Sequence, residues 1–254
     1  MRRILSKDQY LSTYFAEGRA WADFESLEAQ IADLEAYVTI EPQNRRTYSR
    51  KIGLILFQTA STVETFFKQA LLDNSLDLSR QTNHARLAEC RTKSTRNQQI
   101  RISEYRDVFE PHHQLSRWHV SIGRPFLPYG EIQPFNQFAR GQSPVWWIAY
   151  NKVKHDMFKN RVHGSLENLL QAMAGLFLLN VLHRPNQPVL ILKNVIRNGM
   201  MNDPTGGLAG LAPRVLWDKL AQIGVPQTGQ PLALDIWARS NFYAVILMQQ
   251  GNWL

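Results

Sequence analysis

Asn151, Lys154 and His155 stand within one short stretch of this chain and together hold the groups that handle a phosphate ester without a metal. An imidazole moves a proton near neutral pH, an ammonium holds phosphate as a point charge, and an amide orients the ring or the substrate. At 100° per residue along SPVWWIAYNKVKHDMF, Trp146, Ala149, Tyr150, Val153 and Met157 share one arc and form an ordinary core face. Trp147, Asn151, Lys154, His155 and Phe158 fall on the adjoining arc, with Asn151 and His155 one above the other at i, i+4. Two aromatics mixed with an amide, an ammonium and an imidazole suit neither dry core nor bulk water. The pattern predicts a cleft or subunit interface near a two-fold axis, with His155 partly exposed and Arg161 the nearest arginine able to reach a bound phosphate. The plainer alternative is that Asn151 and His155 only satisfy backbone groups where this helix meets the loop before it.

A second feature is charge. The chain carries 29 Lys and Arg against 21 Asp and Glu, a net charge of +8, and most of the cations are arginines, whose planar fork of donors suits phosphate. In the middle of the chain Arg80, Arg86, Arg91, Lys93, Arg96 and Arg101 are opposed in sequence only by Glu89, as a nucleic-acid footprint would be. Arg91, Arg96 and Arg101 are the residues expected to meet the backbone of RNA or another nucleic acid, with Arg161 a fourth; a solvated basic loop is the alternative. Other chemistries lack their motifs: there is no GxxxxGK phosphate loop, no GxGxxG, no HExxH and no CxxC, and the adjacent His112 and His113 have no third ligand at a useful spacing. No metal and no cofactor are therefore expected. Glu64 and Lys68 read as a surface i, i+4 ion pair.

These residues must be positioned by helices. Phe24, Leu27, Ile31, Leu34 and Val38 mark an amphipathic helix, and a second runs from Asn44 to Leu72 with Tyr48, Ile52, Leu56, Thr59, Val63, Phe66 and Ala70 on one stripe. Residues 73–101 are weakly patterned, with Leu87 and Cys90 as anchors. A short helix over Ser103 to Phe109 is expected to stop at Pro111, and the Pro- and Gly-rich stretch to Gly141 reads as an ordered irregular loop. Ser143 and Pro144 open a helix predicted to reach about Lys159. Ser165 opens another, apolar nearly all round and hence central, that stops before Pro185. Beyond it, Val189 to Ile196 is ambiguous, Pro213 to Ile223 reads as a short helix, and Leu232 to Gln250 reads as a helix with a β-prone patch. With 254 residues, 44% of them apolar, the chain can bury a sizeable core. A single cysteine, no secretory leader and no apolar run long enough to span a bilayer lead to the expectation of a cytoplasmic protein with no membrane contact.

The strings FNQFARGQSPVWWIAYNKVKHDMF and GSLENLLQAMAGLFLLNVL, with the earlier VETFFKQAL, resemble a branch of the bacterial HEPN-like helical proteins. That branch carries a WWxAYNxVKH helix followed closely by an LENLLNALAALFLLN-type helix. The resemblance covers roughly residues 45–183 outside the middle loop. It implies a bundle of four or five helices that often dimerises and, in many members, cleaves RNA without metal in toxin, abortive-infection or other defence systems. The family's shared motif is an Arg, often followed by a polar residue, then four to six residues and a His, acting at a composite cleft between subunits. By resemblance His155 occupies the place of the family's histidine, with Asn151 and Lys154 as polar companions. The chain departs from the motif where Tyr150, Ala149 and Ile148 stand in place of the arginine. Arg106 with His112 or His113 has the right separation, but Pro111 predicts a break between them. Three alternatives stay open: Asn151 replaces the arginine, Arg161 or Arg140 enters from elsewhere, or catalysis is absent.

The expected architecture is all-α: a HEPN-like bundle over residues 1–185, with a long ordered loop at about 111–142, and a C-terminal extension over 186–254 packed on it. The expected function is RNA binding, with metal-independent endoribonuclease activity as its catalytic form and a homodimer as its assembly. The alternative is a non-catalytic scaffold that uses the same helix face to hold a second copy or a partner protein.

Overall fold

The computed structural model describes residues 14–73, 76, 83–124, 127–198, 236–240, 243–249 and 252–253. The described chain is mostly helical. α1 (Arg19–Glu35) starts after Gly18, whose φ of 72° suits glycine, and buries Trp21, Phe24, Leu27, Ile31 and Leu34 along one stripe. α2 (Arg50–Leu71) is capped by Ser49, whose hydroxyl accepts the Ile52 N–H. It begins six residues after the expected start at Asn44, because residues 45–48 are used elsewhere: Thr47 and Arg45 carbonyls accept the N–H groups of Leu166 and Glu167, and Tyr48 bridges Ser165.

α3 (His84–Thr95), absent from the sequence reading, is capped by Asn83 and buries only Leu87 and Cys90, too few apolar residues to leave a periodic signal. α4 (Ile102–His113) runs through Pro111 instead of stopping at it. Pro111 removes only its own bond to the Asp107 carbonyl, two residues from the helix end at His113. The last turn is held by Gln114 N–H on the Glu110 carbonyl and by the Glu110 carboxylate, which accepts from the Ser116 N–H at 3.0 Å and from its hydroxyl.

The stretch read as irregular contains a β-hairpin, β1 (Val120–Arg124) and β2 (Leu127–Ile132). α5 (Val145–His155) ends four residues earlier than expected, at an extended Asp156. α6 (Leu166–Leu182) is the central helix; Ala172 to Val181 are buried without a break. α7 (Gln187–Leu192) leads into β3 (Ile196–Asn198). The segment read as a C-terminal helix forms strands, β4 (Ile236–Arg239) and β5 (Tyr243–Gln249), followed by β6 (Asn252–Trp253). Its apolar run alternates poorly, so only the pairing of β5 with the distant β1 decides for strand. The antiparallel sheet has the order β2-β1-β5-β4-β3, with β6 on β5, so the C-terminal segment shares one sheet with the middle hairpin. The expected helix at Pro213 to Ile223 lies outside the described residues.

α6 packs most extensively on α2, and α1 and α5 flank the pair. The Tyr150 hydroxyl meets that of Ser61 at 3.4 Å, and a methyl of Val153 lies 4.0 Å from where a Cβ on Gly53 would stand. Rising numbers on α5 thus face falling numbers on α2: the two are antiparallel. No helix among the described residues is long and apolar enough to cross a membrane.

Candidate nucleic-acid interface

Strand pairing at Tyr48 and Ser165 draws two basic stretches to the same end of the bundle. One supplies Arg45, Arg46, Arg50 and Lys51; the other supplies Lys152, Lys154, Lys159 and Arg161 with His155 and His163, against Asp156 alone. Between them lies a cavity of about 380 Å³ whose wall includes Tyr48, Ser49, Arg50, Met157, Phe158 and Arg161. Its floor is backbone: a Cβ on Gly164 would sit 2.9 Å from the Gly53 Cα, so the connection from α5 to α6 lies directly on α2.

The connection is shaped locally. Asp156 accepts the Lys159 N–H at 3.0 Å, Asn160 donates to the Lys152 carbonyl, and the Asn168 amide donates to the His163 carbonyl. This turn sets Arg161 and Phe158 at the cavity while leaving both side chains open; Phe158 is 83% exposed. The Arg50 and Arg161 guanidiniums have no carboxylate or hydrogen-bond partner among the described residues. His163 meets the Lys152 ammonium at 3.3 Å. Burial and the adjacent Lys152 charge hold its pKa below the usual histidine range, so its ring is neutral at neutral pH. Guanidiniums for phosphate beside open aromatic rings for bases are the two components of a single-strand site.

The predicted site residues divide between places. Arg161 lines the cavity. Asn151, Lys154 and His155 do not line it: Val153 does, and His155 lies about 200° further round α5. His155 is exposed on the outer face with no arginine bonded to it among the described residues, Asn151 is half-exposed beside it, and the Lys154 ammonium lies 5.4 Å from the centre of the Tyr150 ring. Arg140 closes a turn before α5, at the opposite end of that helix from His155.

The middle arginines are elsewhere again. Arg91 donates to the Leu71 carbonyl at 2.6 Å and to the Asp73 carbonyl at 3.1 Å, so it closes the C-terminal end of α2. α2 has 22 residues. It is thus about 33 Å long, which puts Arg91 and Arg161 at opposite ends of the molecule. Arg96 and Arg101 are exposed, but their neighbours Arg86 and Lys93 are neutralised by Glu89, Glu104 and Asp107 from two helices. The Lys93 hydrogen bond and the Arg86 charge hold the Glu89 carboxyl below its usual range. Arg80 lies outside the described residues. Sequence order concealed these acids because Glu104 and Asp107 belong to the next helix.

The unbroken α4 places Arg106 and His112 on one helix, contrary to the expected break. They are about 9 Å apart along the axis, and the Arg106 guanidinium is held by Asp107 and the Gly141 carbonyl. His112 instead joins His113, which in turn meets His183: ring centres are 4.3 Å apart for His112 and His113 and 6.2 Å apart for His113 and His183. No group of His, Cys, Asp and Glu among the described residues could hold a metal ion. Arg50 and His163 carry no signal in the sequence, and Tyr48, expected on the buried stripe of the second helix, is 44% exposed at the cavity instead, because only the bridge between Tyr48 and Ser165 brings these residues to the site. No protein-family model matches the chain, and no characterised protein or solved structure matches it either.

Proposed function

We propose that the chain is a HEPN-like RNA-binding protein that takes single-stranded RNA at the basic end of the bundle. The observation that carries this reading is the cavity in which unpaired Arg50 and Arg161 stand beside Tyr48 and open Phe158. Phosphates would pair with the guanidiniums, a base would stack on Phe158 or Tyr48, and the cavity has room for one unpaired nucleotide. Lys152, Lys154 and Lys159 extend the positive surface outward along the strand. In its catalytic form, a bacterial toxin or defence endoribonuclease, His155 is the proton-transfer group, with Lys154 on the phosphate and Asn151 orienting the ring. Because His155 faces away from Arg161, that chemistry requires a second copy to supply the arginine.

A second reading has its own observation. Val145 and Ile148 are 49% and 46% exposed on the face that carries Asn151 and His155, as the apolar centre of a protein interface would be. On this reading α5 holds a second copy or a partner protein and no RNA is cut.

The test is fluorescence anisotropy with labelled single-stranded and duplex RNA, run beside a gel assay for cleavage. Arg50→Ala with Arg161→Ala should weaken single-strand binding about tenfold or more, while His155→Ala should leave it intact. Any cleavage should survive EDTA and vanish in His155→Ala. Absence of binding to several RNAs at low salt, or binding that ignores the double arginine variant, would remove the RNA reading and leave the interface reading.

A further inference from the structure

The polar side chains that wall the cavity at the basic end are donors. Arg50 and Arg161 each bring a guanidinium, which has N–H donors and no acceptor, and neither is held by another described residue. Ser49 adds a hydroxyl whose oxygen accepts the Ile52 N–H at 3.1 Å, which leaves its hydrogen free to donate. Tyr48 supplies a second hydroxyl. No carboxylate among the described residues lines the cavity, and Val153, Met157 and Phe158 make the rest of its wall apolar. Other cations of this end are engaged and stand outside the wall: Lys51 lies 5.6 Å from the centre of the Tyr37 ring, Lys152 meets His163 at 3.3 Å, and Lys159 pairs with Asp156 at 3.8 Å.

Two guanidiniums that line one small space repel each other, and no acid on the wall offsets the repulsion. An anion between them does. Its kind follows from charge and room. A phosphate inside a strand carries a single negative charge, enough for one guanidinium, whereas a phosphate at a strand end carries about 1.5 to 2 negative charges at neutral pH and three free acceptor oxygens. The cavity, about 380 Å³, has room for one nucleotide and is closed below by the contact of Gly164 with Gly53, so a strand enters it end first and does not run through. On the premise that the basic end takes RNA, we infer that this cavity is a receptor for a terminal phosphate: RNA phosphorylated at one end docks that end between Arg50 and Arg161, with the adjoining base on Phe158. The two arginines thus read one dianion and not successive phosphates of a strand.

A single-stranded RNA of one sequence, labelled on an internal base, is prepared with a 5′-phosphate, with a 3′-phosphate and with hydroxyls at both ends. Each form is titrated with the full chain by fluorescence anisotropy at one salt concentration. One phosphorylated form should bind about tenfold or more tightly than the hydroxyl form, and which one does so identifies the end that is read. A hydroxyl-ended RNA one nucleotide longer, which adds its charge within the strand, should not reproduce the gain. Arg50→Ala with Arg161→Ala should abolish the difference between the forms, and Arg161→Lys, which keeps the charge and loses the planar fork, should reduce it. Both arginines are exposed, and an unchanged melting temperature checks that the variants are folded. Equal binding of the three forms, or a gain that the longer RNA reproduces or that survives in the double variant, overturns the terminal-phosphate site while RNA binding stands. No binding of any form removes the RNA reading and this site with it.

Discussion

Gly53 and Gly164 meet backbone to backbone: a Cβ added to Gly164 would lie 2.9 Å from the Gly53 Cα, whereas one added to Gly53 would find nothing nearer than 4.0 Å. The contact is asymmetric, so the two alanine variants should differ in sign. Gly164→Ala forces the α5 to α6 connection off α2 and should cost about 1–3 kcal/mol. It should also weaken RNA binding, since the same connection carries Arg161 and Phe158. Gly53→Ala sits in a helix with room for a methyl and should stabilise by about 0.5–1 kcal/mol. Urea melts of both variants check this; equal destabilisation would mean that the backbones are not packed as described.

Arg91 and Arg161 should separate stability from binding. Arg91→Ala leaves the Leu71 and Asp73 carbonyls without their donor and should cost about 1–3 kcal/mol of stability, with RNA affinity unchanged under conditions where the variant is folded. Arg161→Ala should leave the melting temperature within a degree or two of the parent and reduce the slope of log affinity against log salt by about 0.7. A salt slope that falls in an Arg91, Arg96 and Arg101 triple variant, and not in Arg161→Ala, would return the interface to the middle of the chain.

The contrast between these arginines shows what the sequence could disclose. Stripes such as Ile52, Leu56, Val63 and Phe66, or the apolar run of α6, are local facts, and the helices they predict are present. Charge is not local. Arg86 and Lys93 look unopposed until α4 brings Glu104 and Asp107 against them, and Arg45 to Lys51 look unremarkable until Tyr48 pairs with Ser165. The same limit hid the sheet, because the segment of Tyr243 to Gln249 becomes a strand only beside Val120 to Arg124. Pro111 shows the converse error: a local rule was applied without the Glu110 and Ser116 bonds that hold the turn beyond it.

The buried histidines make stability depend on acid. His183 is fully buried against Phe15 and Phe66, neither ring nitrogen has a hydrogen-bond partner among the described residues, and burial lowers its pKa to about 4, with Asp73 opposing and His112 adding to the shift. His113 and His112 are lowered for the same first reason, with Arg184 contributing to both. As pH falls through 6.5 the unfolded chain takes up protons that the folded one refuses, so stability drops between about pH 6.5 and pH 4. The cluster of His112, His113 and His183 together should account for on the order of a few kcal/mol across that window. Melts at intervals of pH should show His183→Phe flattening the curve, gaining more at pH 5 than at pH 7.5. An unchanged slope in that variant would mean that His183 is protonated in the folded protein.

The outer face of α5 supports one last expectation. Val145 and Ile148 leave roughly half their surface in water, and Asn151 and His155 continue the same face with no side-chain bond among the described residues. Covering two such apolar side chains and their copies gains on the order of a few kcal/mol before the cost of association, enough for a weak dimer and no more. Sedimentation should therefore show self-association at micromolar to millimolar concentration that Ile148→Glu abolishes. Ile148→Cys should form an intermolecular disulfide on mild oxidation, since the one native thiol, Cys90, is buried and its pKa is pushed up to about 11 by burial and by the Glu104 and Glu89 charges. His155→Ala should leave the dimer in place, because an exposed imidazole at the end of the face adds little to an apolar contact. A chain that stays monomeric at the highest concentration, with Ile148→Glu indistinguishable from the parent, would leave the face to a partner protein, and a cleavage activity requiring two copies would fall with it.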